Sequence, residues 1–164
     1  MLTHEILYLE DEGLLREEFV DILRFEGFHV IEASSGCNGF DLALRHHPDL
    51  ILCDIMMSGL DGYATLEKSR NESSTSLISF IFMTDLADRN HMRKGMEIGA
   101  NDYLAKPFTN KELLYAIQGR LRESSKLQCK VNQEVGYTIN QFQYLTEMIA
   151  QKLAKPYALY CIGR

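Results

Sequence analysis

Along roughly the first 120 residues, short apolar runs alternate with amphipathic stretches, and that alternation restricts the fold more than any other feature. "HEILYLE" (4–10) suits a strand. "GLLREEFVDILRFEG" suits a helix whose apolar face holds Leu15, Phe19, Ile22, Leu23 and Phe25, with Gly27 as its C-terminal stop. "FHVIE" and "GFDLALRHH" repeat the pair, Pro48 closes the second helix, and "LILCD" is a third strand. "GYATLEKSR" reads as helix, and "SSTS" breaks the chain before the strand "LISFIFMT". "DRNHMRKGMEIG" is a helix closed by Gly99, "NDYLAK" a fifth strand, and "TNKELLYAIQGRL" a fifth helix. Thr109 is its N-cap, with Glu112 three residues later as in a capping box. Right-handed crossovers between such units build a doubly wound α/β protein, a parallel sheet with helices on both faces.

The chain has 164 residues, one ordinary domain plus a C-terminal helical extension. We place the boundary between residues 1–123 and 124–164. Hydrophobic content of 46% and charged content of 24% are those of a soluble globular protein, and no apolar run is long enough to span a bilayer. The acidic start "MLTHEILYLEDE" does not read as a secretory signal. Cys37, Cys53, Cys129 and Cys161 form no CxxC pair, so reduced thiols and a cytoplasmic location are expected. Residues 1–119 carry 10 basic against 20 acidic side chains, and residues 120–164 carry 7 against 3. The acidic body argues against a nucleic-acid surface, and the basic tail suits a solvated helix face.

Doubly wound sheets bind ligands beyond the C-terminal ends of their strands. At those ends stand Glu10 and Asp11 (strand 1), Asp54 (strand 3), Thr84 (strand 4) and Lys106 (strand 5). Singly, each has a structural reading: favouring a helix dipole, capping a turn, satisfying backbone, or carrying a surface charge. Together they form a chemical set. Clustered carboxylates repel unless a cation sits among them, and hard oxygen donors without His or Cys suit Mg²⁺. A lysine and a hydroxyl facing them suit phosphoryl oxygens, which makes Asp54 the natural nucleophile for an acyl phosphate.

The segments "LYLEDE", "PDLILCDIMMSGLDGY", "IFMTD" and "GANDYLAKPF" resemble, in order and spacing, the receiver domain of two-component response regulators, the CheY-like family, over residues 4 to about 123. The resemblance implies a five-stranded flavodoxin-like sheet of order 2-1-3-4-5. It implies Mg²⁺ held by Glu10, Asp11, Asp54 and the backbone carbonyl of Met56. Asp54 would accept phosphate from a sensor histidine kinase or a histidine phosphotransfer protein, with Thr84 and Lys106 on the phosphoryl oxygens. Tyr103 would be the aromatic that turns inward when Thr84 moves, and Lys106-Pro107 a cis peptide. The output face would run from about Asp88 to Leu121. By this reading the protein catalyses only its own phosphorylation and dephosphorylation.

Two positions depart from the family. Ser58 replaces the usual proline, which leaves the loop less restricted in φ. Asp85 replaces a small residue, so a negative charge either slows small phosphodonors at the mouth of the site or points to solvent. In the tail, Leu121, Val131, Val135, Phe142, Leu145 and Ile149 have partly heptad-like spacing, with polar Ser124 and Gln128 in the seam and Gly136 interrupting. The last helix therefore runs on as a dimerising stalk or folds back as a hairpin, ended by Pro156 before "YALYCIGR". A homodimer would form through this helix or through the helix 4–strand 5–helix 5 face.

The tail is too short for a winged helix, so no direct nucleic-acid contact is expected from this chain. Two functional classes follow: a stand-alone receiver, or the regulatory piece of a longer protein whose output domain is absent here. A Mg²⁺-dependent phosphatase would need an acid two residues after Asp54, where Met56 stands. A flavodoxin-like cofactor binder would need a phosphate-cradling loop where strand 1 ends in acids.

Overall fold

In the computed structural model, residues 3–85 and 89–153 are described. Asp88, Pro156, Cys161 and the terminal "YALYCIGR" lie outside them. The elements run β1 (Glu5–Leu9), α1 (Gly13–Phe25), β2 (His29–Ala33), α2 (Gly36–His46), β3 (Leu50–Asp54), α3 (Gly62–Asn71), β4 (Ser79–Thr84), α4 (Arg89–Ile98), β5 (Asp102–Ala105) and α5 (Asn110–Leu153). All four strand pairings are parallel and the order is β2-β1-β3-β4-β5. This is the doubly wound, flavodoxin-like sheet expected from the sequence.

Alternation along each strand feeds two cores. Ile6, Tyr8, Leu50, Leu52, Ile81 and Met83 face one side, with Val20 and Leu23 of α1 and Leu113, Ile117 and Leu121 of α5. Leu7, Leu9, Ile51, Cys53, Phe80 and Phe82 face the other, where Ala43 of α2 and Tyr63 and Leu66 of α3 cover them. β3 and β4 are buried along their whole length, which is why both read as unbroken apolar runs.

Local chemistry sets the helix ends. Ser35 and Asp61 cap α2 and α3 by accepting from the backbone of Asn38 and Ala64. The capping box is present: Glu112 accepts from the Thr109 backbone at 2.7 Å, and Thr109 accepts from the Glu112 backbone at 3.3 Å. Gly27 and Gly99 follow α1 and α4 at φ 91° and 107°, as helix stops do. The Lys106-Pro107 bond is cis.

One sequence reading is corrected. Phe25 is 89% exposed, and Val20 is buried with Leu23 in its place. Two residues of α-helix turn the chain by about 200°, so a face that buries Leu23 points Phe25 away. In the tail the helix runs on: α5 continues through Gly136 to Leu153 without a hairpin. A single glycine costs a helix only about 1 kcal/mol relative to alanine, too little to stop it.

The chain divides into two units, residues 1–124 and 125–164. Among the described residues of the second unit none is buried, and Val131, Val135, Phe142, Leu145 and Ile149 are all exposed. No helix among the described residues is long and apolar enough to cross a membrane.

Candidate functional site at the strand ends

The register carries the predicted residues to one edge of the sheet. Asp54, the last residue of β3, pairs with Met83, and Thr84 with Ala105, one position before Lys106. Glu10 follows β1 directly, and its backbone N–H donates to the Ala33 carbonyl at 3.1 Å. Glu10, Asp54 and Thr84 are all buried, while Asp11 is half-buried and Asp85 exposed.

Lys106 joins the two buried acids. Its Nζ lies 3.3 Å from Glu10 Oε2 and 3.6 Å from Asp54 Oδ2. Burial pushes both carboxyls above their ordinary range, and the Lys106 ammonium opposes that rise. Asp54 also accepts from the Met56 backbone N–H at 3.4 Å, and the charge of Asp85 adds a small upward push. Glu10 accepts from the Glu12 backbone and the Tyr8 hydroxyl. The ammonium thus offsets charge that the apolar strands would otherwise penalise.

Asp11 is held differently. Ser58 donates to its Oδ2 from the backbone N–H at 2.8 Å and from the hydroxyl at 3.0 Å. These bonds draw the Asp11 carboxyl below its ordinary value. A proline at position 58 has neither donor, so the departure seen in the sequence is an added contact between the β3–α3 and β1–α1 loops.

The donor set (three carboxylates and the Met56 carbonyl) has the hard-oxygen chemistry of a Mg²⁺ site. Among the described residues, however, no group of three or more acids, histidines or cysteines is gathered as a ready-made metal site. The geometry explains this: Lys106 stands against Glu10 and Asp54, and Ser58 engages Asp11. A cation would share these carboxylates with the ammonium and the hydrogen-bond donors that engage them.

Gly62 makes the turn after the site possible. A Cβ there would lie 2.6 Å from the Asp54 carbonyl oxygen and 2.8 Å from Ile55 Cα, so α3 begins against the backbone at the end of β3. The Tyr103 ring points inward: it packs on Phe82 at 5.1 Å between centroids, and its hydroxyl reaches the His91 carbonyl at 2.9 Å. Tyr63 meets the same carbonyl, and Gly95 leaves room for the Tyr103 ring. Sequence reasoning missed Tyr63, His91 and Gly95, because an apolar-face tyrosine and a mid-helix glycine carry no local mark of that meeting.

An all-parallel 2-1-3-4-5 sheet with acids and a lysine at its C-terminal edge defines a CheY-type α/β protein. The family model for the response regulator receiver domain matches residues 6–118, and the chain belongs to that family. The chain is 36% identical over 126 residues to "Probable transcriptional regulator ycf27" of Porphyridium aerugineum, covering 77% of this chain and 51% of that protein. It is 28% identical over 144 residues to "Transcriptional regulatory protein SrrA" of Staphylococcus aureus, covering 88% and 58%. The chain thus spans about half the length of the curated relatives it matches. Among solved structures it resembles the receiver domain of a Pseudomonas aeruginosa sensor histidine kinase, with a magnesium ion coordinated in its active site cleft. The TM-score is 0.68 at 30% identity, covering 73% of this chain and 98% of that one. A CheY-like receiver domain protein of Methanospirillum hungatei gives 0.71 at 27% identity, covering 76% and 98%.

Proposed function

We propose that this receiver works as a phosphorylation-controlled switch with Asp54 as the acceptor. A carboxylate oxygen of Asp54 attacks the phosphorus of a phosphohistidine on a sensor histidine kinase or histidine phosphotransfer protein. The P–O bond forms, the P–N bond breaks, and the imidazole leaves. Lys106, at 3.6 Å from Asp54, supplies a point charge for the incoming phosphoryl oxygens, and Thr84 supplies a hydroxyl at the neighbouring strand end. Glu10, Asp11, Asp54 and the Met56 carbonyl would hold Mg²⁺, which when bound supplies positive charge against the same oxygens. The observation that carries this reading is the buried Asp54 carboxylate beside the Lys106 ammonium in a chain of the receiver family.

The phosphoryl group adds charge and strong acceptors at one strand end. Thr84 and Lys106 gain contacts only in that state, and this differential binding is what shifts a two-state surface. The surface is the α4–β5–α5 face, with Tyr103 as the moving aromatic. The exposed apolar positions of α5 beyond Ser124 suit pairing with a second copy, and the location is cytoplasmic. Residues 1–123 and 124–164 then divide as receiver and stalk.

The matched region makes up 51% and 58% of two curated relatives named as transcriptional regulators, which fits an output partner or domain beyond the receiver. Intact-mass spectrometry after incubation with Mg²⁺ and acetyl phosphate tests the reading. A single labile phosphoryl adduct, lost in Asp54→Asn, supports it. No adduct from acetyl phosphate or from a phosphorylated kinase overturns it.

A further inference from the structure

Two tyrosines from different elements converge on one backbone oxygen. Tyr63, on α3, donates to the His91 carbonyl of α4 at 2.9 Å, and Tyr103, on β5, reaches the same oxygen at 2.9 Å. Their hydroxyl oxygens are 3.2 Å apart. Each phenol has one proton and a carbonyl has two lone pairs, so two protons serve three oxygen–oxygen contacts in a closed triangle. Both rings rest on Phe82, with centroids at 5.3 and 5.1 Å. Lys94 Nζ lies 4.4 Å over the Tyr63 ring. Burial first, and then the contact with Tyr63, push the Tyr103 hydroxyl well above its ordinary pKa.

Gly95 completes the arrangement. A Cβ there would lie 2.8 Å from both Cε2 and Cζ of Tyr103, and closer still to its hydroxyl. No real side chain tolerates that approach. The Tyr103 ring is free to swing about χ1, so a methyl group at position 95 expels it.

We propose that Tyr63 is a positioning residue for Tyr103. With the space left by Gly95, it holds the Tyr103 ring inward against α4. The three-oxygen triangle ties α3, α4 and β5 together. That Tyr103 is the moving aromatic rests on the receiver reading above; that Tyr63 and Gly95 hold it inward stands on geometry alone.

A stability cycle on the full chain tests the contribution of Gly95. Alanine is ordinarily favoured over glycine inside a helix. With Tyr103 inward, Gly95→Ala must instead lower the urea midpoint, and in a Tyr103→Ala background the same change must raise it. A rise in both backgrounds overturns the proposal. Tyr63 is tested by tetranitromethane nitration, read peptide by peptide, with the exposed Tyr137 as the internal reference. In Tyr63→Phe, loss of the hydroxyl contact raises the nitration rate of Tyr103 roughly five-fold. An unchanged Tyr103 rate overturns the role of Tyr63. Neither measurement uses a phosphodonor, so each holds or fails independently of phosphoryl uptake at Asp54.

Discussion

Ser58 donates twice to one carboxylate oxygen of Asp11, from its backbone N–H at 2.8 Å and its hydroxyl at 3.0 Å. The pair joins two loops that lie 47 residues apart in the chain and meet beside Asp54. It also stabilises the charged form of an acid that the receiver reading gives to Mg²⁺.

Removing these donors is expected to raise the Asp11 pKa toward its ordinary value. Because the folded value is depressed, the stabilisation is full above the ordinary aspartate range and is lost as pH falls through the depressed value. Ser58→Ala loses the hydroxyl bond and roughly 0.5 kcal/mol, and Ser58→Pro loses both bonds. Carboxyl-carbon NMR titration of Asp11 checks the shift, and urea midpoints between about pH 5 and pH 2 check the lost slope.

Lys106→Met leaves two buried acids facing each other without their cation. Near pH 7 the variant is expected to lose about 3 kcal/mol. Burial already holds Glu10 and Asp54 above their ordinary values, and removing Lys106 lifts both further. The native state then binds protons more readily than the unfolded chain, so stability returns as pH falls toward the carboxylate range. Urea midpoints at pH 7 and pH 5 should show the deficit shrinking; a deficit that grows on acidification contradicts the pairing.

Asp85→Ala removes an exposed negative charge that raises the pKa of Asp54. Acetyl phosphate is anionic, so the variant is expected to phosphorylate about three-fold faster at low salt, the gain fading as ionic strength rises. Intact-mass time courses at two salt concentrations check this. Equal rates for the variant and the native chain would place the Asp85 charge outside the donor's path.

Arg70 is a structural staple whose hydrogen-bond partners among the described residues are neutral oxygens. Its guanidinium donates to the carbonyls of Gly99, Ser76 and Ile78 and to the Asn101 side chain, at distances from 2.9 to 3.1 Å. It therefore ties α3 to the loops on either side of β4 and α4. Arg70→Ala is expected to cost about 3 kcal/mol, and Arg70→Lys to recover little, because a single ammonium cannot reproduce the fork. Chemical unfolding of the three proteins checks both statements.

The alternation of strands and helices, the capping box at Thr109 and Glu112, and the acids and lysine at strand ends were all legible in the chain. Those signals are local: period 2 and period 3.6 repeats, cap chemistry within four residues, and apolar runs that end in a charge. The single helix face of α1 was read with one residue too many, since Phe25 lies on the side that Leu23 leaves to solvent. Whether the tail would continue or turn back was also open, because heptad spacing and Gly136 argued in opposite directions.

Tertiary structure decided the partnerships. Lys106 meets Glu10 across 96 residues, Ser58 meets Asp11 across 47, and Tyr103 meets Tyr63 across 40. No periodicity within a helix or strand encodes such a meeting. It requires the strand order 2-1-3-4-5, which lays β1, β3, β4 and β5 side by side, and the crossovers that bring α3 and α4 over the same face. The amino-acid pattern determined which elements form and which residues stand at their ends. The packing of those elements decided which ends touch, because a hydrogen bond depends on ångströms in space and not on separation along the chain.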